Sequence, residues 1–244
     1  MEWHSEGAIL SMRPHGESAA IIEVFTALHG RHAGVVRGGT SRRMAAHLQP
    51  GTQVAVTWRA RLGEHMGGFT CEPIRARAGI LGDALALAGL NSVCALCQIA
   101  LPEREGMGGF YTQTIALLDA LEAGADWPPD YMRWEQALLD ALGYGLDLTR
   151  CAVTGGREDL AYVSPKSGRA VARGAAGEWA DRLLPLPQAM LGQGPAAASE
   201  VLQGLAITGH FLARGLDAVL NGRPMPQART RLLARLEGRA SQMI

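Results

Sequence analysis

The first 75 residues alternate short apolar runs with turn-forming residues, and this pattern restricts the fold more than any other feature of the chain. Strands favour β-branched residues and period-two alternation, and turns favour Gly and Pro. Five runs have that character: residues 8–12, 20–25, 34–37, 53–59 and 69–74. Gly- or Pro-containing segments such as 14–16, 38–39, 50–51 and 67–68 separate them. Five short strands in so short a segment predict a small closed sheet.

Two architectures fit this number of strands. A five-stranded OB-fold barrel is one of the few folds of this size, and an SH3-like barrel would give much the same pattern. The run from residue 54 to residue 61 shows the alternation best. It places Val54, Val56 and Trp58 on one face and leaves Arg59 and Arg61 together on the other.

After Ala78 the sequence changes to Ala- and Leu-rich helical spacing. We predict helices over residues 80–101, 109–121, 130–142, 176–184, 196–220 and 226–237. The segment 147–175 is too polar and too rich in turns to be helical. The predicted fold class is therefore α+β, with a five-stranded OB-fold barrel in a domain of residues 1–78. An all-α carboxy-terminal domain of residues 79–244 follows and contains the irregular segment 147–175.

The formal net charge is zero, but the charges are unevenly distributed along the chain. Residues 1–78 hold nine Arg and six Glu, residues 79–150 hold three Arg and ten acidic residues, and residues 151–244 hold eleven basic and seven acidic residues. The three blocks therefore carry +3, −7 and +4. No acidic residue occurs between Val24 and Gly63. This segment holds Arg31, Arg37, Arg42, Arg43, Arg59 and Arg61.

A long basic segment without acidic residues has two interpretations. It is typical of a polyanion-binding surface, and it is also compatible with a plain solvated surface rich in Arg. The barrel region has only four large aromatic rings besides histidines, Trp3, Phe25, Trp58 and Phe69. Base stacking would depend on one or two exposed rings, so we expect electrostatic attraction to dominate and affinity to fall steeply with salt.

The sequence offers little for catalysis or for a metal. It contains no phosphate-binding loop, dinucleotide fingerprint, HExxH pattern or Gly-x-Ser-x-Gly turn. Cys94 and Cys97 form the only paired-cysteine motif, inside an apolar helical run where thiols pack as small hydrophobic groups. Cys151 has no second cysteine pair near it, so four zinc ligands are not available. We therefore expect no metal and no cofactor.

The order of the motifs resembles the RecO family of bacterial DNA repair proteins. The similarity rests on Val36-Arg37-Gly38-Gly39-x-Ser41-Arg42-Arg43, then Leu48-Gln49-Pro50-Gly51, a strand and a helical region. It continues with Cys151-Ala152-Val153-Thr154-Gly155 and with residues 159–168, Asp-Leu-Ala-Tyr-Val-Ser-Pro-Lys-Ser-Gly. No single motif is highly specific, but together and in this order they are fairly specific.

The resemblance implies a function in recombinational repair. A protein of this family is expected to bind single- and double-stranded DNA and anneal complementary strands. With RecR, it helps load RecA onto single strands coated with the protein SSB. The matching motif carries DNA contact onto Arg37, Arg42 and Arg43, while charge pattern alone adds Arg31, Arg59 and Arg61. For the acidic tail of SSB the family implies an apolar groove with a basic rim, for which Arg214 and Arg223, on a long late helix, are guesses.

The resemblance also exposes one departure from the family pattern. Many members carry two Cys-x-x-Cys pairs in the distal segment as a zinc module. Here Cys151 occupies the first ligand position and Thr154 the second, and the other pair falls near Ala172 and Ala175. We therefore expect a zinc-less member.

The predicted protein is a DNA-binding recombination mediator and not an enzyme. No stretch of about 18 apolar residues and no signal-peptide pattern occurs, so a cytoplasmic, nucleoid-associated location without membrane contact is expected. Two alternatives remain at this point. One is an interaction adaptor whose barrel binds a peptide, and the other is a small thiol-dependent enzyme using Cys94 or Cys97.

Overall fold

The amino-terminal strands form a closed barrel. A computed structural model describes residues 1–124, 126–194 and 196–242. Its first five strands are β1 Glu2–His15, β2 Ala19–Thr26, β3 Gly30–Val36, β4 Gln53–Arg59 and β5 Gly68–Arg75. They close in the order β1-β2-β3-β5-β4, with β1 antiparallel to β4 and β3 parallel to β5. This is the strand order of an OB fold, so the OB prediction is confirmed over the SH3-like alternative.

The interior of the barrel follows the alternation of the sequence. Val54, Val56 and Trp58 point inward and are at most 2% exposed, while Arg59 points outward. They pack with Ile22, Val24 and other residues of the same core. The indole N–H of Trp58 donates to the carbonyl of Met66 at 2.9 Å, so this large side chain is buried without losing its hydrogen bond.

A short helix, α1 Arg42–His47, connects β3 to β4, and two long helices pack with the barrel in one compact unit. These are α2 Ala84–Ala100 and α3 Gly108–Ala123. Arg77, just after β5, is buried and donates to Asp119 of α3 and to the carbonyl of Gly51. The barrel and α3 are therefore joined by a buried charged group as well as by apolar contacts.

Helices α2 and α3 belong to the same compact unit as the barrel. The boundary between compact units therefore does not coincide with the change from strands to helices. The same unit includes residues 226–232, and the second unit includes the later elements up to residue 225 and residues 233 onward. The predicted boundary between residues 78 and 79 marks the change from strand to helix. The division into domains of residues 1–78 and 79–244 stays a prediction.

The second unit is built around two packed helices, α4 Pro128–Ala141 and α6 Ala198–Gly215. Gly204 lies at their closest approach, since a Cβ there would come within 2.2 Å of the sulfur of Met132. Thr208 of α6 donates its hydroxyl proton to the buried carboxylate of Glu135 on α4. The two helices therefore share a polar contact inside an apolar interface.

The segment predicted as irregular contains strands too short to detect in the sequence. β6 Leu160–Val163 lies between β7 Ala170–Ala172 and β8 Leu184–Pro185 in a three-stranded antiparallel sheet. The helix predicted over residues 176–184 is wrong. A one-turn helix, α5 Arg173–Ala176, ends where Gly177 adopts a φ of +51°, and a 3₁₀ turn over Gly177–Arg182 follows.

One of the predicted carboxy-terminal helices is interrupted in the structure. The predicted helix over residues 196–220 stops at Gly215, and one further turn, α7 Asp217–Leu220, follows it. The last helix is α8 Gln227–Gln242. No described helix combines the length and apolar character that crossing a membrane requires.

Candidate nucleic-acid interface

A groove runs over the outer surface of the barrel where β3, β4 and β5 meet. Its volume is about 620 Å³. β3 and β5 pair at a single position, Val35 with Gly68, and both residues line the groove. Thr57, Thr70, Phe69 and Met44 are among the residues that line it, and the hydroxyl of Thr57 is hydrogen-bonded to the ring of His4 at 2.8 Å. The groove is thus lined by polar, apolar and basic residues.

Two of the predicted arginines line this groove. Arg37 follows the last residue of β3 and is exposed, and Arg59 ends β4 on the outward face. Arg59 is not free, because its Nη2 lies 2.8 Å from Oε1 of Glu2 on the neighbouring strand β1. This hydrogen bond lowers the pKa of Glu2 and raises that of Arg59.

Arg42 and Arg43 open helix α1 beside the groove. Ser41 caps the helix, since its hydroxyl oxygen accepts from the N–H of Met44, and Met44 itself lines the groove. Both arginines are exposed, and within residues 1–124, 126–194 and 196–242 neither has an ion-pair partner. The helix therefore carries two uncompensated charges next to a groove lined by Arg37 and Arg59.

Arg61 lies in the loop between β4 and β5. Its side chain is exposed, and in the described part of the chain it forms no ion pair. It does not line the groove. The alternation of β4 predicted its outward direction, but not the course of the loop.

Arg31 is placed differently from the other predicted contacts. Its side chain is only 15% exposed, and it lies 3.1 Å from a carboxylate oxygen of Glu23 and 3.4 Å from one of Glu103. Its Nε donates to the carbonyl of Leu101 at 3.0 Å. The charge of Arg31 is therefore compensated internally, which argues against the predicted contact with DNA.

Trp3 is the one large barrel ring, among those in the described residues, that is not fully buried, so the structure offers little surface for base stacking. Trp58, Phe69 and Phe25 are at most 5% exposed. Trp3 is half-buried, with His29 stacked on it at 4.0 Å between centroids and Trp58 stacked at 5.8 Å. Because His29 already stacks on Trp3, a base would have to displace His29 to stack on that face of the ring.

The guesses for a partner site separate in the structure. Arg214 lies on α6 and lines a cleft of about 280 Å³ together with Lys166, Tyr144 and Phe211. Its guanidinium donates to the carbonyls of Pro165 and Lys166 and lies over the ring of Phe211. Arg223 is not on a helix but in the loop after α7, and it does not line this cleft.

Cys94 and Cys97 do not have the chemistry of a reactive pair. They are 6% and 0% exposed in helix α2. Burial raises the pKa of Cys94 to about 12 and that of Cys97 well above its ordinary value. Because a nucleophilic cysteine must be a thiolate, this environment contradicts the thiol-enzyme alternative.

Cys151 occupies a different environment. Burial acts to raise its pKa, but backbone N–H groups of Ala172, Thr154 and Val153 point at its sulfur and, with the Thr154 side chain, lower the pKa to about 7. Ala172 and Thr154, two of the positions aligned with zinc ligands, thus do lie against Cys151. Neither residue has a side chain that binds zinc tightly, and the described residues contain no group of three His, Cys, Asp or Glu placed for a metal.

Two family models match the chain. Residues 1–77 match "Recombination protein O N terminal" and residues 81–224 match "Recombination protein O C terminal". A DNA repair protein RecO of Cereibacter sphaeroides strain KD131 is 67% identical over 233 residues, 96% of this chain and 97% of that protein. The chain belongs to the RecO family. The RecO proteins of Dinoroseobacter shibae and Ruegeria sp. TM1040 are 58% and 56% identical, over 96% and 98% of this chain and 97% and 100% of their own lengths.

Membership of the RecO family confirms the resemblance found in the sequence. It identifies a protein of DNA repair, and RecO proteins are recombination mediators and not enzymes. The groove and its arginines lie within the part that matches the amino-terminal RecO model, and the Arg214 cleft lies within the part that matches the carboxy-terminal one.

Sequence reasoning missed several groove and cleft residues. Thr57 could have been predicted, because the alternation of β4 places it on the same face as Arg59. Thr70 and Met44 come from other elements, and Glu2 reaches Arg59 only through the register of β1 with β4. Nothing in the sequence indicates that Lys166 shares a cleft with Arg214.

Proposed function

We propose that this member of the RecO family binds single- and double-stranded DNA on the barrel surface that carries Arg37, Arg42, Arg43, Arg59 and Arg61. The observation that carries the proposal is that Arg37 and Arg59 line one groove and the uncompensated Arg42 and Arg43 flank it. Arg31 is not part of this surface, because Glu23 and Glu103 neutralise it.

Recognition depends on phosphates and not on bases. The large rings of the barrel are buried or stacked on one another, so side-chain charge is the main attraction that this surface offers. Each phosphate neutralised by an arginine releases a counterion, so the logarithm of affinity falls by roughly 0.7 per contact for each tenfold increase in salt on single strands. Low sequence specificity suits a mediator that anneals any pair of complementary strands.

The test is DNA affinity measured against salt for a double variant, Arg42→Ala/Arg43→Ala. Two lost contacts should flatten the salt slope by roughly 1.4 and weaken single-strand binding about tenfold or more at moderate salt. A matched control is Arg133→Ala/Arg173→Ala, which removes two exposed arginines outside the barrel, paired with Asp130 and Asp159. Equal binding by the wild type and the Arg42/Arg43 variant would contradict the proposal and favour the peptide-binding adaptor.

Membership of the family supports the later steps of the proposed function. We infer that the protein anneals complementary strands and, together with RecR, helps load RecA onto SSB-coated single strands, working on the chromosome in the cytoplasm. The matching assays are annealing of SSB-coated strands and RecA filament formation with and without RecR. If RecR does not change RecA loading by this protein, the mediator part of the proposal fails while DNA binding stands.

For the acidic tail of SSB we propose the cleft beside Arg214. Lys166 supplies a cation on its rim, and Phe211 and Tyr144 supply apolar surface. We expect Lys166→Glu to weaken binding of a peptide with the SSB tail sequence at least fivefold, with Arg182→Glu as the control for charge alone. If the two variants bind the peptide equally, the tail binds elsewhere.

A further inference from the structure

Arg104 lies outside the proposed DNA-binding surface, but it holds the loop that carries Arg61, one of the arginines of that surface. The loop of residues 60–67 joins β4 to β5 and contains Arg61. Most of its side chains are exposed, and one backbone hydrogen bond inside it links His65 to Leu62 at 3.2 Å. Its middle is fixed from outside, by Arg104.

Arg104 binds three consecutive carbonyl groups of the loop. Its Nη1 donates to the oxygen of Gly63, and its Nη2 donates to those of Glu64 and His65 at 3.1 and 3.0 Å. A planar guanidinium with several donors in fixed directions can do this, whereas an ammonium group acts as a compact point charge. The loop must curve around the guanidinium for three successive carbonyls to point at one side chain.

The backbone of Arg104 is itself held against the barrel. Arg104 has a left-handed φ of +63°, and its N–H donates to the carbonyl of Arg31 at 2.9 Å. The side chain of Arg31 grips the same segment through Glu103 and the carbonyl of Leu101. Gly30 permits the close packing, since a Cβ there would lie 1.9 Å from the carbonyl oxygen of Glu105. Arg31 thus fixes the segment that presents Arg104.

We propose that Arg104 is a positioning residue for DNA binding, which fixes the β4–β5 loop so that Arg61 is held ready to contact a phosphate. The inference rests on the proposed function and extends it to a residue outside the predicted surface. Arg104 acts through the shape of the loop, and its own charge is occupied by three carbonyl dipoles. An ordered loop lowers the entropy lost when Arg61 binds DNA.

The first test separates the shape of the guanidinium from its charge. Arg104→Lys keeps the charge but has all its donors on one nitrogen, so it cannot reproduce contacts made by two separate guanidinium nitrogens, and Arg104→Gln removes the charge as well. If Arg104 positions the loop, both variants should weaken single-strand binding by a similar factor, about threefold to tenfold. Wild-type affinity for Arg104→Lys with a loss for Arg104→Gln would mean that charge alone matters and would overturn the proposal.

A double-mutant cycle with Arg61→Gln tests the route of the effect. If Arg104 acts through Arg61, the Arg104→Lys change should cost little or nothing in the Arg61→Gln background. Additive losses would show that Arg104 acts independently of Arg61, and the positioning role would be rejected.

Limited trypsin digestion reports loop order without DNA. Cleavage after Arg61, followed as the fragment of residues 1–61, should accelerate at least fivefold in Arg104→Lys while the thermal unfolding midpoint changes little. Unchanged cleavage would contradict the inference even if DNA affinity fell. Conversely, if Arg42→Ala/Arg43→Ala binds DNA normally, the proposed function fails, and the trypsin result still shows whether Arg104 orders the loop.

Discussion

The six arginines that the sequence groups together differ at the level of the single residue. Arg37, Arg42, Arg43 and Arg61 are exposed without ion pairs among the described residues, Arg59 is bound to Glu2, and Arg31 is enclosed by acidic groups. Charge pattern alone cannot make this distinction. Glu103 is 72 positions from Arg31 in the chain, and Glu2 is 57 positions from Arg59. Only the folded register brings these carboxylates into contact.

On the proposed DNA-binding surface Glu2 is expected to compete with phosphate for Arg59, so removing its charge should strengthen binding. In Glu2→Gln the guanidinium of Arg59 is released for a phosphate, and a negative charge near the groove disappears. We expect single-strand affinity to rise about threefold and the salt slope to steepen by roughly 0.7. Fluorescence anisotropy with an oligo(dT) of about 20 nucleotides measures both.

The control for this change is Glu17→Gln, an exposed carboxylate in the β1–β2 turn for which the described residues provide no ion pair. If the two substitutions raise affinity equally, the effect is one of total charge and not of Arg59.

His32 should make the barrel sensitive to mild acid. It is 4% exposed, neither ring nitrogen has a hydrogen-bond partner within the described residues, and burial, then Arg104 and His29, lower its pKa from 6.5 to about 4. Between pH 6.5 and pH 4 the unfolded chain therefore binds a proton on His32 that the folded chain does not bind. The contribution of His32 to the free energy of unfolding is complete above pH 6.5 and is lost as the pH falls toward 4.

The expected loss between pH 7 and pH 5 is about 2 kcal/mol of the free energy of unfolding. Urea unfolding at the two pH values measures it, and His32→Leu should reduce the pH-dependent loss by about that amount. A pH dependence identical in the two proteins would show that other groups cause it.

At the level of the element, the strands of the barrel were predictable and the short strands of the second unit were not. The barrel strands have seven or more residues, and β3 and β4 alternate clearly, whereas β7 has three residues and β8 has two. Strands of that length show no period, and they exist because β6 pairs with both. The predicted helix over residues 176–184 failed for a local reason, the left-handed conformation of Gly177.

The link between barrel and α3 yields a prediction about stability. Arg77 donates twice to Asp119 and once to the carbonyl of Gly51, and its side chain is 1% exposed. Arg77→Met keeps much of the apolar stem but leaves that buried carbonyl without its donor. We expect a loss of about 3 kcal/mol in the free energy of unfolding, measured by urea denaturation.

Arg13→Met is the matched control, because Arg13 lies on β1 of the same barrel but is exposed. It should change stability by less than about 0.5 kcal/mol. An equally small effect of Arg77→Met would show that the remaining contacts, including the ion pairs of Arg75 with Asp119 and Glu122, are sufficient to hold α3 to the barrel.

At the level of the whole molecule, the zero net charge results from blocks of opposite sign. The acid-free segment between Val24 and Gly63 supplies β3, α1 and β4, so the folded barrel inherits its positive charge. A chain with no net charge is therefore still expected to bind DNA with a strong dependence on salt, because the local charge of the binding surface determines counterion release.

The same charge distribution, combined with buried rings, predicts that binding does not require bases. Stacking on an aromatic ring contributes about 1–3 kcal/mol per base, so a protein that relies on it should bind abasic DNA many times more weakly. Here Phe25, Trp58 and Phe69 are buried. We expect an oligo(dT) and an abasic strand of equal length and charge to bind within about twofold of each other at every salt concentration.

Trp179 is exposed outside the barrel, 54% accessible with Arg182 over its ring, so Trp179→Ala is measured in parallel. A large preference for oligo(dT) that Trp179→Ala abolishes would move base recognition to the second unit. A preference that persists in Trp179→Ala would contradict the phosphate-only prediction and point to another ring, Trp3 or the exposed Tyr144.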